Sequence, residues 1–216
     1  MTNTWQHQLR HYATLVLGIL IMAMSIALAK IATLGTSPIS SVPNVLSIIT
    51  PLTIGQNTMI FMTLVVVLEA IVLGRDFSWR NVLQLVPTII FSALIDFFMT
   101  VFSFLTPQTY WAKAILTLIS TVCLAWGVFF EVNSRAIVMA GEGIAAALAF
   151  RFHQPFAKMK VRTDITMVVM AIGLAFIFSH RLIGVREGTL VAAILTGRII
   201  GWIEAHFSGL QNWLQH

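Results

Sequence analysis

The sequence predicts an all-α protein that crosses a membrane about six times, with two further short helices, arranged as two related halves. Three observations carry this prediction. Only 10% of the 216 residues are charged, 58% are hydrophobic, and mean hydropathy is +0.89. A soluble domain carries roughly 25% charged residues, so this chain lacks the polar groups to cover a water-facing surface. Apolar stretches fill the whole length, leaving no separate soluble domain. One order of turn and polar motifs also occurs twice.

A span needs roughly 20 apolar residues. Six stretches qualify or come close: 12–33, 57–73, 82–105, 114–133, 164–180 and 188–206. The first has a signal-peptide look, with Arg10 and His11 ahead of it and Ala27-Leu28-Ala29 as a cleavage-like end. Apolar sequence continues through Leu34, however, and the stretch has a counterpart in the second half. It reads as a retained span. Two stretches are shorter, 38–50 and 137–150. At ~1.5 Å per residue they cover about half to two-thirds of a ~30 Å core.

Basic residues choose the topology. With a cytoplasmic N-terminus and short stretches that dip in and return, the inside collects Arg10, Arg75, Arg80, Arg135, Arg151, Lys158, Lys160 and Arg162. Lys30, Lys113, Arg181 and Arg186 are left outside. Full crossings by the short stretches would move Arg75, Arg80 and Arg135 outside, which the positive-inside rule disfavours. Trp79, Tyr110 and Trp111 fall at the expected interfaces.

The repeat divides the chain into 1–106 and 107–216. In the first half a long span leads into Leu34-Gly35-Thr36-Ser37-Pro38 and a short helix, Asn57 opens the next span, and the third ends near Asp96. In the second, a long span leads into Gly141-Glu142-Gly143 and a short helix, Asp164 opens the next span, and the last ends near Glu204. Three crossings per half invert the second relative to the first. Inverted repeats with half-length helices place solute sites near the membrane midplane in many carriers.

The motifs Leu34-Gly-Thr-Ser-Pro-Ile-Ser-Ser-Val-Pro43, Thr53-Ile-Gly-Gln-Asn57, Gly141-Glu-Gly143 and Gly184-Val-Arg-Glu-Gly-Thr189 occur in that order over nearly the full length. In them the chain resembles the YczE/YyaS/YitT family of bacterial integral membrane proteins. The resemblance implies an inner-membrane protein of repeated units and, at most, a role in transport.

Several residues can carry chemistry. Arg198 lies near the centre of the last span, where a charge costs at least roughly 2.5–3.5 kcal/mol. It suits either a clamp for an anionic group or a buried ion pair with Asp96, Glu69, Asp164 or Glu142. Thr36 and Ser37 before Pro38 suit a helix start, as plain caps or as a polar-solute site on free backbone N–H groups. Gly141 and Gly143 allow close backbone approach. Glu142 between them suits a cation, a proton or simple helix capping. Asn57 and Asp164 are helix-start polar groups, each a cap or a solute contact. Glu69 is expected to reach the cytoplasmic edge near Arg75, and Glu187 to cap the last helix or pair with Arg186. The Gly184/Gly188 and Gly197/Gly201 spacings suggest close helix packing.

Other classes fare poorly. No zinc-protease, nucleophile-elbow or nucleotide-loop motif is present, and the six histidines lack metal-ligand spacing. The lone Cys123 excludes disulfides and cysteine metal sites. The net charge of +5 sits in short loops and signals no nucleic acid. Residues 151–162 read as a basic loop serving topology and anionic-lipid contact. The expectation is a non-enzyme without cofactor or metal, whose partners are the lipid bilayer and a small-molecule solute. Three roles stay open: a carrier or facilitator of a small hydrophilic, even anionic, solute; a substrate-binding membrane subunit of a multi-component uptake system; and an assembly factor. A homodimer or accessory energising subunits complete the candidate partners.

Overall fold

The computed structural model describes residues 4–137 and 139–215, with the side chains of 4–7, 156, 157, 212 and 215 left aside. All regular structure among them is helical: α1 Thr4–Ala32, α2 Pro38–Ile49, α3 Ile54–Leu73, α4 Trp79–Val82, α5 Leu85–Val101, α6 Tyr110–Asn133, α7 Ala140–Phe152, α8 Phe156–Ser179, α9 Glu187–His206 and α10 Ser208–Gln215, plus a 3-10 turn at Gly74–Asp76. Six helical segments are long and apolar enough to cross a membrane. Their outer faces carry exposed Leu64, Leu68, Ile71, Val169, Ile177 and Leu190, a belt that suits hydrocarbon.

Local chemistry sets the ends. Thr53 and Gln56 form a reciprocal capping box at the start of α3, each side chain bonding the other's backbone N–H at 3.0 Å. Helix α3 therefore begins before Asn57. At its far end Gly74 takes φ +55°, a turn glycine adopts without strain. Pro38 fits the first position of α2, where no N–H is needed. The span expected at 82–105 is shifted to Trp79–Val101, with a break at Leu83 and Gln84 between α4 and α5. Helix α8 starts two turns earlier than 164, because Lys158, Met159, Lys160 and Arg162 are good helix formers whose charges mask them in a hydropathy reading. The short helix expected at 137–150 is shifted to 140–152.

The central pair is α1 against α6, antiparallel, since Ser25 donates to the Ser120 carbonyl (2.7 Å) while Gly18 meets Gly127 and Glu131. A Cβ on Gly18 would lie 2.9 Å from the Gly127 carbonyl oxygen, and one on Gly127 would lie 3.0 Å from that of Gly18. The two backbones touch at this crossing, which only glycine permits. Around this pair the contacts recur in exchanged form. Helix α1 packs on α5 and α6 on α9; α2 on α3 and α7 on α8; α2 on α8 and α7 on α3. One correspondence fails. Helix α3 packs along α5, but α8 stands off from α9.

After α1 and after α6 the chain passes a residue of positive φ, Thr33 (59°) and Arg135 (52°), and turns back in non-helical form. Helix α2 starts level with the middle of α1 and α6, its first turn beside Met22 and Leu124. It runs out to the end of α1, where Lys30 donates to Asn44 (2.7 Å) and Ser47 (2.8 Å) and Asn44 donates to the Gly184 carbonyl (2.6 Å). Helix α7 starts against the same level, Gly141 seated on the Ile39 side chain, and runs the other way to Glu69 and Asp76 at the end of α3. The short helices thus meet amino end to amino end and diverge. The second turn of α1 and α10 share one end of the bundle, where the Arg10 guanidinium lies 5.0 Å from the Trp213 ring centroid.

Asp96 ties α5 to the start of α3, accepting from the Gly55 N–H (2.9 Å) and the Thr53 hydroxyl (2.5 Å). Asp96→Ala is expected to cost about 1–3 kcal/mol by leaving those donors without an acceptor. A lower unfolding midpoint in detergent with unchanged helix content is the expected reading; an unmoved midpoint refutes the clamp.

Candidate functional site

Where α8 stands off from α9, the two amino ends of α2 and α7 open on a cavity of about 200 Å³. At ~30 Å³ per water, that is space for roughly six waters or a solute of similar bulk. Its polar wall comprises Ser37, Glu142, Lys160, Asp164 and Thr196, and Met22, Ile39, Leu124 and Ile200 are among its apolar lining.

Lys160 is the centre of the charged wall. Its ammonium lies 3.2 Å from Glu142 Oε1 and 2.8 Å from Asp164 Oδ1. The early start of α8 makes this arrangement: Lys160 and Asp164, four apart, share one helix face, and Glu142 faces them from the first turn of α7. Glu142 is 5% exposed and its Oε2 has no hydrogen-bond partner; Ser37 Oγ and Thr196 Oγ1 are equally unpartnered. Buried polar atoms without partners cost about 1–3 kcal/mol each. A cavity holding water or a polar solute removes that cost.

Behind the cavity sits Glu131, fully buried at the end of α6. Its Oε1 accepts the Met139 N–H (2.8 Å) and so closes the amino end of α7. Its Oε2 has no partner. Glu142, in the first turn of α7, and Glu131, on its cap residue Met139, thus share one helix end.

The expected site residues separate into those the fold gathers and those it does not. Glu142, Ser37 and Asp164 line the cavity. Ser37 holds the cap position of α2 but makes no side-chain cap bond. Asp164 opens no helix, since it lies in the third turn of α8 and pairs with Lys160. Thr36 is buried one step aside, in a crevice of about 10 Å³ with Ser25, Thr117 and Ser120. Gly141 and Gly143 position α7, pressed on Ile39 and Gln84 respectively. Asn57 lies elsewhere: its amide donates to Thr50 Oγ1, the Leu52 carbonyl and the Thr53 carbonyl, closing the α2–α3 loop.

Arg198 is the largest departure. It is exposed on the outer side of α9, away from the cavity lining, and none of the four acids expected beside it is its ion-pair partner. A single helical phase decides this: Thr196, Gly197 and Ile200 face the cavity, and Arg198 points off that arc. Of three smaller expectations the first changes, the second holds in its ion-pair alternative, and the third holds for one glycine pair only. Glu69 is buried rather than at the edge, held by Asn81 (2.6 Å) and Gln84 (3.0 Å). Glu187 pairs with Arg186 at 3.1 Å. Gly188 is pressed on the Leu34 carbonyl, whereas Gly197 and Gly201 have open space where a Cβ would stand.

Two site residues escaped the sequence reading. Lys160 reads as part of a basic loop, and Glu131 lies at the end of an apolar span. The available signal was the four-residue spacing of Lys160 and Asp164, and a carboxylate inside a span, which by default marks function. Among the described residues no group of three or more acids, histidines or cysteines has metal-binding geometry.

Fold and cavity define a class: a polytopic helical membrane protein with paired half-length helices meeting at mid-height. The family follows from residues 9–205, which match the model of a family of unknown function, DUF6198; the chain belongs to that family. The matched family bears a different name from the YczE/YyaS/YitT group that the motifs resemble. No curated protein and no solved structure matches the chain.

Proposed function

We propose that this protein is a carrier or facilitator that moves a small hydrophilic solute across a bacterial inner membrane, with the cavity between the two short helices as its site. One observation carries the proposal: the amino ends of α2 and α7 converge, at the mid-height of the bundle, on a largely apolar cavity at whose polar wall Ser37 Oγ and Glu142 Oε2 lack partners. Unsatisfied groups at that depth are expensive in hydrocarbon and are tolerated where water or a solute meets them. The exchanged packing of the two halves supports alternating access, one half rocking against the other about a fixed site. The side bearing Arg75, Arg80, Arg151 and Lys158 is assigned to the cytoplasm by the positive-inside rule, together with both chain ends. Arg198 lends no support to an anionic solute, because its guanidinium is exposed and off the cavity lining.

The test is a melting screen of the purified protein against small polar metabolites, followed by uptake into vesicles. A ligand at 100 times its Kd stabilises by about 2.7 kcal/mol. That shift is expected to vanish in Glu142→Gln and to persist in Arg198→Ala. Equal stabilisation of the parent and Glu142→Gln places the site elsewhere and refutes the proposal.

A further inference from the structure

The charges around the cavity do not balance. Two carboxyl groups, Glu142 and Asp164, pair with the single ammonium of Lys160, and a third, Glu131, stands behind them on the Met139 N–H at the amino end of α7. The cavity faces of α1, α2 and α9 add no titratable side chain. With all three acids ionised the cluster carries two negative charges in excess. Two helix amino ends, worth about +0.5 each, reduce the deficit to about one. An uncompensated charge is costly away from water, and two carboxylate oxygens, Glu131 Oε2 and Glu142 Oε2, are buried with no hydrogen-bond partner. The arrangement lacks one positive charge.

We infer that this vacancy is filled in turn by a proton held between Glu131 and Glu142 and by the cationic group of the transported solute, so that an ammonium-type cation is exchanged for a proton. The inference rests on the carrier reading for the word transported, but the binding chemistry stands by itself. The step balances. An O–H bond of a carboxylic acid breaks, the proton passes to water in the cavity, and the ammonium of the solute pairs with the carboxylate left behind. One positive charge enters as one leaves, so the pocket keeps its net charge. Lys160 stays between Glu142 and Asp164 and offsets the repulsion between them. The small volume restricts the cation to a compact one, of ethanolamine or choline size.

Infrared spectra of the full chain in detergent at neutral pH test the resting state. A carbonyl stretch from a protonated carboxyl is expected in the parent and not in Glu131→Gln; a parent without that band overturns the inference. Ammonium, methylammonium, ethanolamine and choline are then added as chloride salts, with sodium acetate as the anionic control. At least one cation is expected to remove the band and release about one proton per cation bound. Its affinity should rise with pH by up to about tenfold per unit, since the proton competes. If no cation removes the band, or acetate does so equally well, the inference fails. Should Glu131→Gln not fold, Glu142→Gln serves in its place and must lose the proton release. Uptake separates the two readings. Cation binding with proton release but no entry into vesicles refutes the carrier and leaves the exchange standing. Uptake of a neutral or anionic solute, indifferent to a pH gradient, does the reverse.

Discussion

Gly18→Leu is expected to abolish recovery of folded protein. At Gly18 a Cβ would stand 2.9 Å from the backbone nitrogen of Glu131 and 2.9 Å from the carbonyl oxygen of Gly127. Neither atom belongs to a side chain that can swing away. The helices must separate, and α1 with α6 is the pair on which α5 and α9 pack. Overpacking a tight site costs about 1–3 kcal/mol when side chains can adjust. Here the clash is with backbone on both sides, and a typical total stability is only about 5–15 kcal/mol. Gly127→Leu should fail likewise, because its Cβ would stand 2.9 Å from the Met22 nitrogen. Gly173→Leu is the control, with open space around its Cβ position. The measurement is the monodisperse fraction after detergent extraction and the unfolding midpoint. A Gly18→Leu protein that melts with the parent refutes the close crossing.

Lys160→Met is expected to be the most damaging substitution at the cavity. It removes the cation that separates Glu142 from Asp164, leaving two carboxylates facing one another beside buried Glu131. Breaking a buried ion pair from one side costs about 3–5 kcal/mol, because the partner's charge is stranded. A quarter of the Lys160 side chain is exposed, which places the expected cost toward the lower end of that range. The sign of the coupling is the sharper test. In the Lys160→Met background, Glu142→Gln should restore stability although it removes a further charged group, because it cancels the stranded charge. Simple additivity of the two losses would show that the triad is not a unit.

The parts of this protein legible in its sequence are those that depend on local length. Six apolar stretches long enough to span, and two too short, announce themselves without any neighbour, because the bilayer sets one required length for all. Glu142 was legible for a related reason: a carboxylate between two glycines at a helix start is unusual wherever it lands. Arg198 and Lys160 were not legible, and the cause is the same in both. In a soluble helix, polarity marks the face that meets water. In a membrane helix the lipid face and the core face are both apolar, so helical phase leaves little trace in composition. Arg198, central and costly, lies off the cavity arc, whereas Lys160, taken for a loop residue, points into it.

By itself the sequence determined the membrane class, the number of long helices and the presence of two half-length ones, since hydrophobic length and turn chemistry are properties of neighbouring residues. Only the tertiary structure decided that the amino ends of α2 and α7 meet, that α8 stands off from α9, and that Lys160 joins Glu142 to Asp164. Those outcomes depend on which helix faces are pressed together, and that is settled by close backbone approach at residues such as Gly18, Gly127 and Gly141, each far in the chain from its partner.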